Sequence, residues 1–318
     1  MVKVLITGGA GFIGHNLVLH LLSRGWDVIV YDNLERSSKC AIEKIRSAGI
    51  PLVSQESKLK DNLSEVDVVV HAAAYISVEE SIANPEKYLI NNSVNTYTLC
   101  KHISDICNKP HLVYISTAAV YGKPRQKFVT EDHPVEPLSP YGLSKLLGEY
   151  EVDFFIKIHN LRATILRLFN VYGSGQTGTY AGVITKFVER VCQNQPPLIY
   201  GDGKQTRDFI HVEDVCEAIR FAITKKINGT FNVASGKETT VQELAKMMMK
   251  LKDLEAEPIY ASPKQGDITH SVGDPRKIKN AMGFETHIDL MEGLRRLLLE
   301  EKDMTNTPQE TICLLTNR

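Results

Sequence analysis

Short runs of continuous apolar residues alternate with longer stretches of helical spacing over the first half of the chain. Lys3-Val-Leu-Ile-Thr7, Val28-Ile-Val-Tyr31, Asp67-Val-Val-Val-His71, His111-Leu-Val-Tyr-Ile115 and residues 161–169 are rich in β-branched residues with little polar alternation. That pattern belongs to parallel strands covered on both faces. Between them the period changes to that of a helix. Ile13, Leu17, Leu21 and Leu22 share one face, with Arg24-Gly25 as the stop. Residues 41–45 predict a short helix, residues 86–107 a long one, and a further helix starts at Tyr141 and continues to about residue 158. This alternation predicts an α/β fold, a doubly wound parallel sheet that binds its ligands over the carboxyl ends of the strands.

Beyond Gly173 the order loosens. A helix at 183–191, a strand at Leu198-Ile-Tyr200, the stretch Arg207-Asp-Phe-Ile-His211 and a helix at 213–223 come with more turns between them, and 240–251 and 288–300 read as amphipathic helices. The pattern predicts a dinucleotide-binding domain over residues 1–172. Residues 173–303 then form mainly a smaller, mixed α/β substrate-binding region, with some chain returning to the first sheet, and 304–318 a polar tail.

The first strand runs into Gly8-Gly-Ala-Gly-Phe-Ile-Gly14, and the second ends on Asp32. Glycines without Cβ let the backbone approach a pyrophosphate, and a helix N-terminus offers free N–H donors and partial positive charge. Gly9, Gly11 and Gly14 satisfy G-x-G-x-x-G, and Asp32 follows Gly14 by eighteen residues, where a carboxylate accepts from ribose hydroxyls. The expectation is therefore a Rossmann-type fold binding NAD, since an acid at that place repels the 2′-phosphate of NADP. Ala72-Ala-Ala74, after the strand ending at His71, leaves little bulk beside such a cofactor.

Bulk properties narrow the remaining classes. The 318 residues are 43% hydrophobic and 24% charged with a net charge of −1, so there is no bulk basic field for nucleic acid. Anionic ligands must be held by local arginines. No apolar run approaches a bilayer's thickness, and no leader is visible. The six cysteines form no C-x-x-C pair and no zinc spacing, which predicts reduced thiols in a cytoplasmic protein without metal.

Candidate chemistry lies at the end of the 111–115 strand. Ser116-Thr117 is followed by two alanines, a proline-rich loop, and then Tyr141-Gly-Leu-Ser-Lys145. Tyr and Lys at i and i+4 share a helix face, so an ammonium can favour the phenolate of a group whose ordinary pKa of about 10 makes it a poor base. Such a phenol takes a proton from a hydroxyl while hydride leaves the carbon beneath, and Thr117 can share hydrogen bonds with both. Tyr121, Tyr172, Tyr200 and His71 read as packing or edge residues.

Together, Thr7-Gly-Gly-Ala-Gly-Phe-Ile-Gly14, Tyr141-x-x-x-Lys145, Leu168-Phe-Asn-Val-Tyr-Gly173 and Gly201-Asp-Gly-x-x-Thr-Arg-Asp-Phe-Ile-His-Val-x-Asp214 resemble the extended short-chain dehydrogenase family. Within it they most resemble the UDP-glucose/UDP-galactose 4-epimerases, over roughly residues 2–300. The resemblance implies an NAD that is reduced and reoxidised in each turnover, a transient 4-keto sugar, and a homodimer built on the 86–107 and 141–158 helices. It implies cofactor contacts from Gly8, Gly11, Phe12, Ile13, Gly14, Asp32, Asn33, Ala72, Ala73, Ala74, Asn91, Tyr141, Lys145 and Phe169. It implies nucleotide-sugar contacts from Thr117, Asn170, Val183, Leu198, Ile199, Tyr200, Arg207, Lys264, Asp267 and Ser271. Arg207 is the candidate for the diphosphate, because a guanidinium matches phosphate oxygens bidentately.

The chain also departs from that pattern. Lys264-Gln-Gly-Asp267 stands where the family commonly has arginine, Ser54-Gln-Glu-Ser57 replaces an Asp-containing stretch, and Asn95 takes a glycine's place. Ser271 lies where a tyrosine narrows the sugar pocket of epimerases restricted to plain hexoses, which suggests room for a 2-acetamido group. The alternatives are a 4,6-dehydratase, a decarboxylase or a reductase on the same fold, or an NAD-binding regulator without catalysis. Elimination relatives carry an acid after the Thr or Ser, whereas Ala118 and Ala119 follow Thr117 here.

Overall fold

A computed structural model describes residues 2–176, 182–263 and 268–306. The expected strands form where the apolar runs are: β1 (Lys3–Thr7), β2 (Asp27–Tyr31), β4 (Val68–His71), β5 (His111–Thr117) and β6 (Ala163–Leu168), with a two-residue strand β3 (Leu52–Val53) added between β2 and β4 in the chain. They build a parallel sheet of seven strands in the order Gly229–Val233, β6, β5, β4, β1, β2, β3. Strand order reverses between β1 and β4, and a cleft opens there above their carboxyl ends. This is the Rossmann-type fold.

Continuous apolar runs are needed because each strand feeds two cores. Val4 and Ile6 of β1 join Val68, Val70, Val113 and Leu166 on one face, with Leu17 and Leu21 of helix α1 (Phe12–Leu22) and Ile219 of the Val212–Lys225 helix. Leu5 points the other way, with Val69, Leu112, Tyr114 and Ile165, under Leu99 and Ile103 and under Val152 and Phe155 of the Pro140–His159 helix. A third core, around Phe187, Ile199, Leu244, Met248 and Leu294, holds the smaller region together.

Three elements differ from the pattern. Gly229-Thr-Phe-Asn-Val233 is short and polar-interrupted, yet it closes the sheet against β6. Its Asn232 is fully buried because it accepts from the Tyr121 hydroxyl at 2.6 Å and donates to the Val129 carbonyl at 2.8 Å. The single helix expected over 86–107 is instead Pro85–Leu89 and Asn95–Ser104, joined by a π-helical turn at Ile90–Val94. The last helix, Leu290–Asn306, continues three residues into the expected tail, whose remainder lies outside the described residues. No helix among the described residues is long and apolar enough to cross a membrane, and the five described cysteines are free thiols.

Candidate active site

The glycine turn after β1 is built so tightly that side chains are excluded. Gly8 has φ +70°, and a Cβ there would lie 2.6 Å from the Ala73 nitrogen; one on Gly14 would lie 2.1 Å from the Gly8 carbonyl oxygen. The first turn of α1 is thereby seated on the loop, and its N-cap residue Gly11 supplies no side-chain cap. Backbone N–H groups at such a helix start bind an anion. Asp32, at the tip of β2, is buried and accepts from Ala10 N at 2.9 Å, Leu34 N at 2.8 Å and the Ser37 hydroxyl at 2.9 Å.

Above these residues lies a cavity of about 430 Å³. Gly8, Gly11, Asp32, Asn33, Ala72, Ala73, Ala74 and Asn91 share its wall, as do Ser54 and Asn95, two of the positions where the chain departs from the family pattern. Phe12 and Ile13 are half-buried at the start of α1 and pack on the first core. Phe169 is buried in a neighbouring cluster with Val120, Tyr121 and Leu146. A cradle that a Cβ would fill, an uncapped helix start and a carboxylate at the strand tip fit the pyrophosphate and ribose of NAD.

Thr117 ends β5 and caps the short 3-10 turn Ala118–Tyr121, accepting from Ala119 N at 3.2 Å. The Pro140–His159 helix starts beside it because Pro140 presets the first turn and the Ser139 hydroxyl accepts from Gly142 N at 3.1 Å. The Thr117 side chain lies close enough to the Tyr141 phenol to favour its ionised form. Lys145, one turn on, is 2% exposed, with its Nζ 4.1 Å from the centre of the Tyr114 ring. Burial pushes this lysine down to about 7, opposed by the carboxylates of Glu149 and Glu151.

The expected acidified phenol is not what the fold produces by itself. Burial raises the Tyr141 pKa above its ordinary value, and the Thr117 side chain only partly offsets it. Desolvation outweighs the favourable contact because the phenolate would sit in an environment of low polarity.

Asn92, Ser144, Glu149 and Arg167, which sequence reading did not single out, tie the two halves together. Asn91, in the cavity wall, donates to Asn92 Oδ1 at 2.9 Å. Asn92, fully buried in the π-helical turn, donates to the Ser144 hydroxyl at 3.0 Å and to the Tyr75 carbonyl at 2.8 Å. Ser144 in turn donates to the Tyr141 carbonyl at 2.8 Å. Behind Thr117, Glu149 accepts from Ser116 and is paired with Arg167. The signals available were an Asn-Asn pair inside a helical stretch and an arginine inside a buried strand.

The residues expected to meet a nucleotide sugar lie on the smaller region. Asn170 donates to the Asp208 carbonyl at 2.9 Å, and Arg207 donates to the carbonyls of Thr206 and Ile268 at 2.9 and 2.6 Å. Ser271 is half-buried and its carbonyl accepts from Asp208 N at 2.9 Å. Val183 begins the Val183–Cys192 helix. In the strand Leu198–Tyr200, Ile199 is fully buried in the third core while Tyr200 is exposed. Lys264 and Asp267 lie outside the described residues.

Residues 4–234 match the model of a family described as NAD dependent epimerase/dehydratase family. The chain belongs to this family. It is an enzyme, an epimerase of the isomerase class, and its cofactor is NAD. A Methanocaldococcus jannaschii protein provisionally named a UDP-glucose 4-epimerase is 37% identical, over 96% of this chain and 100% of that one. The UDP-glucose 4-epimerase of Thermotoga maritima, solved with UDP-glucose, superposes with a TM-score of 0.89 at 32% identity, covering 96% of this chain and 100% of that one. A UDP-N-acetylglucosamine 4-epimerase from Methanobrevibacter ruminantium, in complex with UDP-N-acetylmuramic acid, gives a TM-score of 0.89 at 29% identity, covering 96% and 99%.

Proposed function

We propose that this protein is a nucleotide-sugar 4-epimerase that interconverts UDP-glucose and UDP-galactose and also accepts UDP-GlcNAc and UDP-GalNAc. The observation that carries the reading is the Thr117 side chain set against the Tyr141 phenol beside a dinucleotide cradle, with alanines at 118 and 119. Alanine cannot move a proton, so this set supports reversible oxidation at one carbon over elimination of water.

In this reading Thr117 holds the sugar's 4-hydroxyl, and Tyr141 takes its proton and later returns it. Lys145 supplies positive charge that favours the phenolate formed on the way. NAD, when bound, supplies the hydride acceptor and donor. Gly8, Gly11 and Gly14 seat its pyrophosphate and Asp32 its ribose. Arg207 and Lys264 meet the diphosphate of the sugar nucleotide, and the small Ser271 side chain leaves room for an N-acetyl group.

The protein works as a homodimer in the cytoplasm. The free thiols are in keeping with that location. Support for the dimer comes from apolar side chains left in water on adjacent helices: Ile90 at 59%, Val94 at 53% and Tyr97 at 45% exposure beside Tyr150 at 54%, Phe154 at 45% and Ile158 at 62%. Their spacing makes one stripe across neighbouring helical segments, and contiguous exposed apolar side chains of this kind favour an interaction site.

The test is to incubate purified protein with each of the four UDP-sugars, without added cofactor, and to analyse the products. Interconversion at C4 is expected for both pairs, and Ser271→Tyr should spare the hexose pair while slowing the N-acetylhexosamine pair. Loss of water would count against epimerisation of these sugars, and unchanged sugars would mean that the substrate lies outside these four.

A further inference from the structure

At the mouth of the cofactor cavity, the polar loop after β2 is fastened to a different part of the fold by two pairs of side chains. Arg36 forks onto Glu80, Nη1 at 2.8 Å and Nη2 at 2.6 Å, and lays its guanidinium 3.7 Å over the Tyr75 ring. Its neighbour Glu35 accepts from the Tyr75 hydroxyl at 2.5 Å and from Lys87 at 3.0 Å. Glu80 is itself braced, accepting from the Tyr88 hydroxyl at 2.9 Å, and stands in the first turn of the Val78–Ala83 helix capped by Ser77. Arg36 and Tyr75 line the same cavity as Asp32, Asn33 and Ala74.

The loop is held in a conformation that it would not choose freely. Leu34 has φ +64°, a left-handed geometry unfavourable to a leucine, and persists because Asp32 accepts from Leu34 N and from Ser37 on either side of the clamp. A planar, bidentate pair whose members are 22% and 24% exposed fixes orientation as well as distance, unlike a mobile surface contact.

We propose that the Arg36–Glu80 pair, stacked on Tyr75, is a latch over the adenosine half of the cofactor site, and that Glu80 controls how long NAD is retained. Arg36 is fastened at the cavity wall, so the dinucleotide's adenosine end leaves when the pair parts and the 33–38 loop swings from Tyr75. Glu80 acts through Arg36 and is a positioning residue. The inference rests on the assignment of NAD to this cavity and adds the gate to it.

The experiment loads the full-length protein with radiolabelled NAD, adds excess unlabelled NAD and follows loss of label with time. Glu80→Gln and Arg36→Met should each release label at least about fivefold faster, with Arg36→Lys, which keeps the charge but not the fork, in between. The double variant should be no faster than the faster single one, because both changes open the same contact. Melting of each variant without NAD, compared with the parent, separates a lost latch from a lost fold: the latch predicts little change. Retained label that leaves all variants within about twofold of the parental rate would overturn the latch alone, since a part-exposed pair that contributes only surface charge has that small an effect. Label that never associates with the unaltered protein would overturn the cofactor assignment and the latch together.

Discussion

Glu149 grips Arg167 through three hydrogen bonds, Nε at 3.0 and 3.2 Å and Nη2 at 2.6 Å, directly behind the strand end that carries Thr117. Glu149 belongs to the helix of Tyr141 and Lys145, and Arg167 to β6, so the pair bolts the catalytic helix to the sheet. Both side chains are buried, at 3% and 8% exposure for the two residues. Breaking a buried pair strands a charge, whereas replacing both partners does not. Glu149→Ala is therefore expected to lower stability by about 3–5 kcal/mol, and Glu149→Gln with Arg167→Met by clearly less than the sum of the single changes. Urea denaturation of Glu149→Ala, Glu149→Gln, Arg167→Met and the double variant measures this.

Tyr141→Phe removes the proton-accepting oxygen and leaves the ring's packing against Tyr88, 6.4 Å centre to centre, in place. Interconversion of the sugars should cease while bound NAD, read by mass spectrometry of the isolated protein, stays. Thr117→Ala should slow turnover by roughly a hundredfold, the usual size of a lost proton-transfer or positioning contact. Parental turnover in Tyr141→Phe would remove the phenol from the mechanism.

Gly14 is the position where the cradle has least tolerance. A methyl group there would meet the Gly8 oxygen at 2.1 Å and the Gly9 Cα at 2.7 Å, so the loop and α1 must separate. Overpacking of this kind costs about 1–3 kcal/mol, and Gly14→Ala should weaken NAD binding by about tenfold or more in a titration.

Among the described residues four histidines, His15, His71, His111 and His211, are buried with lowered pKa values, and they make the fold sensitive to acid. Burial pushes His71 down to about 3 and His111 and His211 down to about 4, from an ordinary 6.5. Below pH 6.5 the unfolded chain takes up protons that the folded chain refuses, so stability falls with pH until the folded values near 4 are reached. The denaturation midpoint should drop steadily over that window, and His111→Gln should flatten the drop. A midpoint insensitive to pH there would contradict neutral burial.

The exposed stripe that runs from the Ile90–Val94 turn into the Asn95–Ser104 helix and along the Pro140–His159 helix should be covered in solution. Phe154→Glu places a charge in its middle at a site 45% exposed in one chain, giving up only edge contacts to the rings of Phe155 and His159. Sedimentation should show a dimer for the parent and a monomer for the variant; a monomeric parent would refute the proposed assembly.

The run from β1 through the glycine turn and α1 to Asp32 was legible in the sequence because each part is local. Strand, turn and helix periodicities speak for themselves over a few residues, and Tyr141 and Lys145 share a face by helical spacing alone. The strand Gly229–Val233 was not legible, since its pairing partner is β6 and its one buried polar side chain is satisfied by Tyr121 and Val129, far away in the chain. The same holds for the bridge from Asn92 through Ser144 to Tyr141, which depends on a π-helical turn no periodicity announces. The raised pKa of Tyr141 belongs to this second class as well. Short-range pattern and steric demand determine where strands, turns and helices begin, but desolvation and hydrogen bonding between distant segments exist only once the chain has closed around them.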